Sequence, residues 1–193
     1  MSADTQVLGS DELRRLMANR ELLIEPLLDS RQVDPIGVDL RLDCFFREFV
    51  RTERHSISLS DRTPTLLREL QPFTGRFYLQ PLEFVLAQSL EYIALPNNVL
   101  AFLNGRSSLG RRGLIVHATA NVVDPGWCGH LVFELANLGS MPIELVPLMR
   151  IARLILFQTR EVEPYRGKFK GQLRINEPAP DELVKKLDQQ RDT

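Results

Sequence analysis

FYLQPLEFVLAQSLEYIALP, residues 77–96, opens the series of short apolar runs that decides the fold. It continues through VLAFLNG (99–105), GLIVHATANVV (113–123), GHLVFELANLG (129–139), PIELVP (142–147) and RIARLILFQ (150–158). Pro, Gly and Asn separate the runs. That spacing of turn residues between apolar stretches is the punctuation of an all-β barrel or sandwich. Upstream, GVDLRLDCFFREFV (37–50) alternates with period two, placing Val38, Leu40 and Leu42 on one face and Asp39, Arg41 and Asp43 on the other. That pattern predicts a strand. Near the start, Ser10 is placed to cap a helix over DELRRLMANR, with acids in its first turn and Leu13, Leu16 and Met17 at helical spacing. Residues 51–72 are polar and irregular, a loop with strand fragments. The chain after Gln172 is polar, contains Pro178 and Pro180, and predicts a short closing helix over DELVKKLDQQ (181–190). No internal repeat or low-complexity segment stands out. The expected class is mainly β, with a short N-terminal helix and few other helical turns.

At 193 residues the chain fits one domain, 1–193, with 165–193 as a possible closing tail. A net charge of -1 sets up no global field for nucleic acid or an anionic membrane. Neither partner is expected, and an anionic substrate would have to be held by local basic residues. Two cysteines, Cys44 and Cys128, do not make a disulfide framework. The polar start lacks the apolar core of a signal peptide, and IARLILF is too short to span a bilayer. A reducing, cytoplasmic location is the expectation.

One break interrupts the strands. GRSSLGRRG (105–113) predicts a strand exit, a short helical turn and a Gly stop. Hydroxyls and amides at such a turn can meet phosphate oxygens, and arginine adds a permanently charged fork. A solvated loop has the same composition, so the segment alone does not decide. Downstream, Asp124 precedes Pro125-Gly126 and reads first as a turn-stabilising acid. Trp127 is either a core aromatic or a flat surface for a sugar or base. Glu134 sits inside LVFEL, between Phe133 and Leu135. A mid-strand carboxylate either lies on a solvated face or lines a polar site. His117, in VHAT, is at least as readily structural as catalytic.

Zinc deaminases need an H-x-E element and a P-C-x-x-C element. Here the three histidines lead HSI, HAT and HLV, and the two cysteines lie far apart. That chemistry is therefore not expected. There is no Walker A loop and no G-x-G-x-x-G.

The stretch GRSSLGRRGLIVHATANVVDPGWCGHLVFEL (105–135) resembles the signature region of dCTP deaminases, within the trimeric dUTPase superfamily. Weaker similarity extends through GVDLRLD upstream, PIELVPLMRIARLILF downstream, and PYRGKFKGQ (164–172), which resembles a nucleotide-closing segment. The resemblance implies a distorted β-barrel or jelly-roll-like dUTPase-type protomer, assembled as a homotrimer with sites between subunits. It implies that Glu134 moves protons between water, the pyrimidine N3 and the departing amino group. Ser107 and Arg111 would position the water and the glutamate, and the Ala118 carbonyl would help hold that water. Arg106, Ser107, Ser108 and Arg111 match the nucleotide-facing run. Asp124 matches the acid beside the deoxyribose 3′-hydroxyl, and Trp127 the aromatic near the sugar. Tyr165, Lys168 and Gln172 match tail residues that touch phosphates or base. Mg2+ is expected on the triphosphate, without zinc, and dTTP is an expected inhibitor.

The implied reaction is hydrolytic deamination of dCTP to dUTP and ammonia. A bifunctional course, giving dUMP and pyrophosphate with help from Asp124, is the first alternative. A dUTPase without deaminase activity and a non-catalytic nucleotide-sensing trimer are the others. The chain departs from the family pattern at Leu148 and Ala152, where glycines are usual. It also departs after Gln172, where LRINEPAPDELVKK replaces a Gly/Pro/Ser-rich tail, and at Arg112, usually apolar.

Overall fold

A computed structural model describes residues 5–50, 53, 55, 67–70, 75–119 and 121–175. Its elements run in the order β1 (Gln6–Val7), α1 (Ser10–Ala18), β2 (Leu23–Glu25), a 3-10 turn (Ser30–Gln32), β3 (Val38–Phe49), β4 (Leu67–Leu70), β5 (Phe77–Leu79), β6 (Phe84–Ala94) and β7 (Val99–Gly105). They continue with α2 (Ser107–Gly110), β8 (Leu114–Ile115), β9 (Val122–Val123), β10 (Cys128–Asn137), β11 (Ile143–Leu145) and β12 (Arg150–Gln158). The mainly β class read from the sequence is what the chain adopts.

One curled sheet has the order β8-β10-β6-β3-β12-β7-β9, with β1 on β12, β2 on β6 and β4 on β3. β11 and β5 form a separate ladder. Pairing is antiparallel along the main path, so alternate residues of each strand face one core. In β10, Leu131, Phe133 and Leu135 point inward and are buried, while Val132, Glu134 and Ala136 lie on the half-covered face. Val38, Leu40 and Leu42 of β3 are buried, as their alternation predicts.

The opposite face of β3 is not a solvated one. Asp39 is 1% exposed, and opposite it across the ladder stands Arg153. Its neighbour Arg41 donates to Gln32 Oε1 and to the Leu148 carbonyl. Gln32 in turn donates to Glu91 Oε1 at 2.9 Å, while the Arg41 amide donates to Glu91 Oε2. Burial pushes the Glu91 carboxyl up to about 6, against the hydrogen bonds that favour its charged form.

One local detail differs from the sequence reading, and two others give it a physical form. Gly9, not Ser10, is the N-cap of α1, and no side chain caps that end; the Ser10 amide instead donates to the Pro35 carbonyl. Within 51–72, Leu67–Leu70 is one of the strand fragments expected there, paired with Phe46–Phe49. Leu148 adopts φ 70, the left-handed region where β-carbon crowding favours glycine. The closing helix expected over 181–190 lies outside the described residues. Ala152 is buried beside a register shift between Arg150 and Ala152. Among the described residues no helix is long and apolar enough to cross a membrane.

Candidate active site

After β8 the chain runs back alongside β10. Ala136 pairs with Ile115, and the Glu134 amide then donates to the Val116 carbonyl at 3.1 Å. One residue pair further on, the side chain of Glu134 takes over. Its Oε2 accepts the Ala118 N–H at 2.9 Å and the Thr119 N–H at 3.0 Å. Two amide N–H groups aimed at one carboxylate oxygen fix the orientation of the side chain. The Oε1 atom makes no hydrogen bond among the described residues. The Ala118 contact with Glu134 thus runs through its N–H.

Glu134 borders a cavity of about 490 Å³. That volume lies within the usual range for small-molecule sites, roughly 300–1,000 Å³. Apolar walls come from Phe49, Phe84 and Leu86, with Leu86 directly opposite Glu134 on β6. Asp124, Trp127, Tyr165 and Gln172 complete the lining, together with His117. The Nδ1 of His117 stands 4.0 Å from Glu134 Oε2, beyond hydrogen-bond reach. Both ring nitrogens of His117 and the Trp127 Nε1 are buried without a hydrogen-bond partner among the described residues. Buried polar atoms are normally paired, so unpaired ones around a cavity point to a polar occupant.

The segment after β12 closes one side. The Tyr165 amide donates to the Pro125 carbonyl, and the Gly171 amide to the Cys128 carbonyl, both at 2.8 Å. The His130 amide donates to the Gln172 carbonyl, and Gln172 Nε2 returns to the His130 carbonyl. Tyr165 packs on Trp127 with ring centroids 5.3 Å apart. Two glycines make room for this strap. A Cβ at Gly126 (φ +74) would stand 2.5 Å from Pro164 Cβ, and one at Gly129 (φ +140) 2.9 Å from the Gln172 backbone. Lys168 lies exposed, 5.0 Å over the Phe169 ring.

The Gly/Ser/Arg run is placed elsewhere. The strand exit, helical turn and Gly stop read from GRSSLGRRG are all present, and Gly113 at φ +88 ends the turn where a Cβ would meet the Gly139 amide at 2.6 Å. Ser107, Ser108 and Arg111 are exposed. Arg111 borders a second groove with Leu109, Arg112, Met141 and Glu144. Arg112 turns back to the Ser108 carbonyl at 2.9 Å. Arg106 donates to the buried Asp39 at 2.7 Å. Within one chain, then, Glu134, Asp124, Trp127, Tyr165 and Gln172 share a cavity, and the residues from Arg106 to Arg111 do not line it.

The sequence reading left His117 undecided and did not single out Phe49, Phe84 or Leu86. Their place depends on strand register, for which the sequence carries no local signal.

A dCTP deaminase-like family model matches residues 7–159. The "dCTP deaminase, dUMP-forming" of Mycobacterium tuberculosis strain H37Rv is 40% identical over 153 residues, covering 79% of this chain and 80% of the relative. The protein of that name from Thermobifida fusca is 40% identical over 79% of this chain and 78% of its own length. That from Mycobacterium ulcerans is 41% identical over 79% and 80%. Among solved structures, the 2′-deoxycytidine 5′-triphosphate deaminase from Agrobacterium tumefaciens superposes with a TM-score of 0.63 at 24% identity. That match covers 80% of this chain and 48% of the Agrobacterium chain, and it shows a shared fold.

Proposed function

This chain belongs to the dCTP deaminase-like family, and on that premise we propose that it is an enzyme converting dCTP and two waters to dUMP, pyrophosphate and ammonia. The sequence reading set deamination to dUTP first and the bifunctional course second. The relatives at 40–41% identity carry the name dUMP-forming, which reverses that order.

The observation that carries the reading is the Glu134 carboxylate. One oxygen is tied to two backbone amides and the other makes no hydrogen bond among the described residues, in a cavity sized for a nucleoside. A base held this way keeps its geometry while a proton moves on and off its second oxygen. Water adds to C4 of the cytosine as Glu134 takes its proton. The same carboxyl delivers that proton to N3, then takes the proton of the new C4 hydroxyl and passes it to the amino group, so that the C4 carbonyl forms as the C4–N bond breaks and ammonia leaves. Trp127 offers a flat wall for the sugar or base, and Leu86 with Phe84 an apolar one. In the second step water attacks the α-phosphorus and pyrophosphate leaves. Asp124, the other carboxylate of the cavity, is the candidate to take that water's proton.

The exposed run Arg106-Ser107-Ser108 with Arg111 offers hydroxyls and cations, which suits phosphate oxygens. It holds no carboxylate to cage a metal. Mg2+ would therefore travel on the triphosphate, held there by phosphate oxygens and water. Since this run lies outside the cavity, we propose that a homotrimer brings the run of one subunit to the cavity of the next.

Incubation of the pure protein with dCTP and Mg2+, followed by identification of every product, tests the reading. Equal dUMP, pyrophosphate and ammonia are expected. Accumulating dUTP would return the main reading to deamination alone, and unchanged dCTP would sink the enzyme.

A further inference from the structure

Asp39 is surrounded by more positive charge than it can balance. Its Oδ2 accepts Arg106 Nη1 at 2.7 Å and Arg150 Nη1 at 3.3 Å, and its Oδ1 accepts Arg153 Nε at 2.9 Å. Arg153 also pairs with Asp34, so two carboxylates fix it from two sides. Asp29, the next acid in the neighbourhood, is engaged by its own partner Arg31. Arg31, Arg106, Arg150 and Arg153 thus face Asp29, Asp34 and Asp39, which leaves one cation in excess.

The excess falls on Arg106 and Arg150. They share a single carboxylate oxygen, and neither guanidinium makes a second hydrogen bond among the described residues. Each guanidinium carries five N–H donors, so most of their donors are unspent. Their side chains are 27% and 35% exposed, open enough for a ligand to reach, while Asp39 beneath them is 1% exposed. Arg106 immediately precedes Ser107, the start of the exposed hydroxyl run.

We propose that Arg106 and Arg150 together form an anion subsite for the terminal phosphates of the nucleotide, oriented by Asp39 below them. This rests on the nucleotide reading above and adds Arg150, a residue of β12 outside the signature stretch. Two converging forks match the equatorial oxygens of a terminal phosphate better than one. Arg153, spent on two acids, holds Asp39 in place.

Calorimetric titration of the full chain with inorganic tripolyphosphate, dCTP and dCMP tests this for the unsubstituted protein, Arg150→Gln, Arg150→Lys and Arg153→Gln, with Tm recorded for each. Arg150→Gln is expected to weaken tripolyphosphate and dCTP roughly tenfold, in line with loss of a charge-assisted contact, and to leave dCMP unchanged. Arg150→Lys keeps the charge without the fork and recovers part of the affinity. Arg153→Gln lowers Tm but keeps the ratio of dCTP to dCMP affinity. Equal tripolyphosphate and dCTP binding by Arg150→Gln and the unsubstituted protein would overturn the proposal. So would an equal loss for dCTP and dCMP. Tripolyphosphate binding is read without turnover, so failure of the deaminase reading shows separately, as intact dCTP beside normal tripolyphosphate binding.

Discussion

Around Glu134 the chain closes on itself, whereas around α2 it stays open. The cavity is lined from β6, β10, His117, Val122–Asp124 and the strap 164–172, and its carboxylate is tied to two amides. Ser107, Ser108 and Arg111 stand exposed, and Arg106 is anchored only from below. On the proposed reading, the difference follows from what each half would have to do. A carboxylate acting as base must be held in one geometry and shielded from competing water. Hydroxyls and guanidinia that meet phosphate need open donors, and a cation on the surface costs little desolvation. One fold can build the first half alone and present the second to a neighbour.

The sharpest way to break this comparison is to disarm the closed half. Glu134→Gln retains the size of the side chain and one carbonyl oxygen for the Ala118 and Thr119 amides. It removes the proton acceptor. Turnover of dCTP is expected to fall about a thousandfold, in the range for loss of a general base, with dCTP affinity little changed. Full turnover in this variant, measured by ammonia release, would show that the amide-held carboxylate only closes the ladder.

How far such residues could be read in advance depended on the range of their contacts. The strand series, the exposed turn at GRSSLGRRG and the buried face Val38, Leu40, Leu42 follow from period-two alternation and local turn chemistry. Glu134 was legible as a mid-strand carboxylate, but whether its face was solvated was not. That depended on Leu86 falling opposite it, through a ladder whose register shifts between His130 and Val132. At that shift the Ser89 hydroxyl accepts the Leu131 amide and donates to the Glu91 carbonyl. A single sequence does not signal such a device. The alternation puts Asp39 on the face opposite Val38 but does not say what covers it, since its arginines come from positions 67, 111 and 114 residues away. The Gly9 cap of α1 was missed because Ser10, the better capping residue, is drawn into the helix by its amide bond to Pro35.

A smaller effect tests the division between subunits directly. Arg111→Ala leaves the cavity intact but removes a cation from the exposed run. Glu134→Gln does the reverse. Each alone should be nearly inactive. Unfolded together and reassembled, the two variants should recover activity at about a quarter of the sites, the fraction that randomly pairs an intact cavity with an intact neighbouring run. Recovery that stays at background, with mixed assemblies confirmed by mass, would place cavity and run within one chain and remove the argument for a shared site.

The smallest expected effect concerns backbone strain, which the two halves handle in opposite ways. In the closed half, the positive-φ positions beside the strap are Gly126 and Gly129, where a Cβ would collide with Pro164 or Gln172. In the open half, the turn leading into β12 and Arg150 puts Leu148 at φ 70. Its amide donates to the Leu42 carbonyl at 2.8 Å, and its carbonyl accepts Arg41 Nη1 at 2.6 Å, so the turn is pinned at both ends. A branched side chain in that conformation costs roughly 1–2 kcal/mol, and glycine's extra unfolded-state freedom offsets about half of that gain. The Leu148 side chain is 48% exposed and contributes modestly to the core. Leu148→Gly should therefore stabilise the protein by about 0.5–1 kcal/mol, a rise in Tm of roughly 2 °C for a chain of this size. A fall in Tm instead would mean that the side chain is worth more than the strain it causes. For a residue half exposed in the single chain, that points to packing against another subunit. Differential scanning calorimetry at two protein concentrations separates the cases, since a subunit contact makes the loss grow as the protein is diluted.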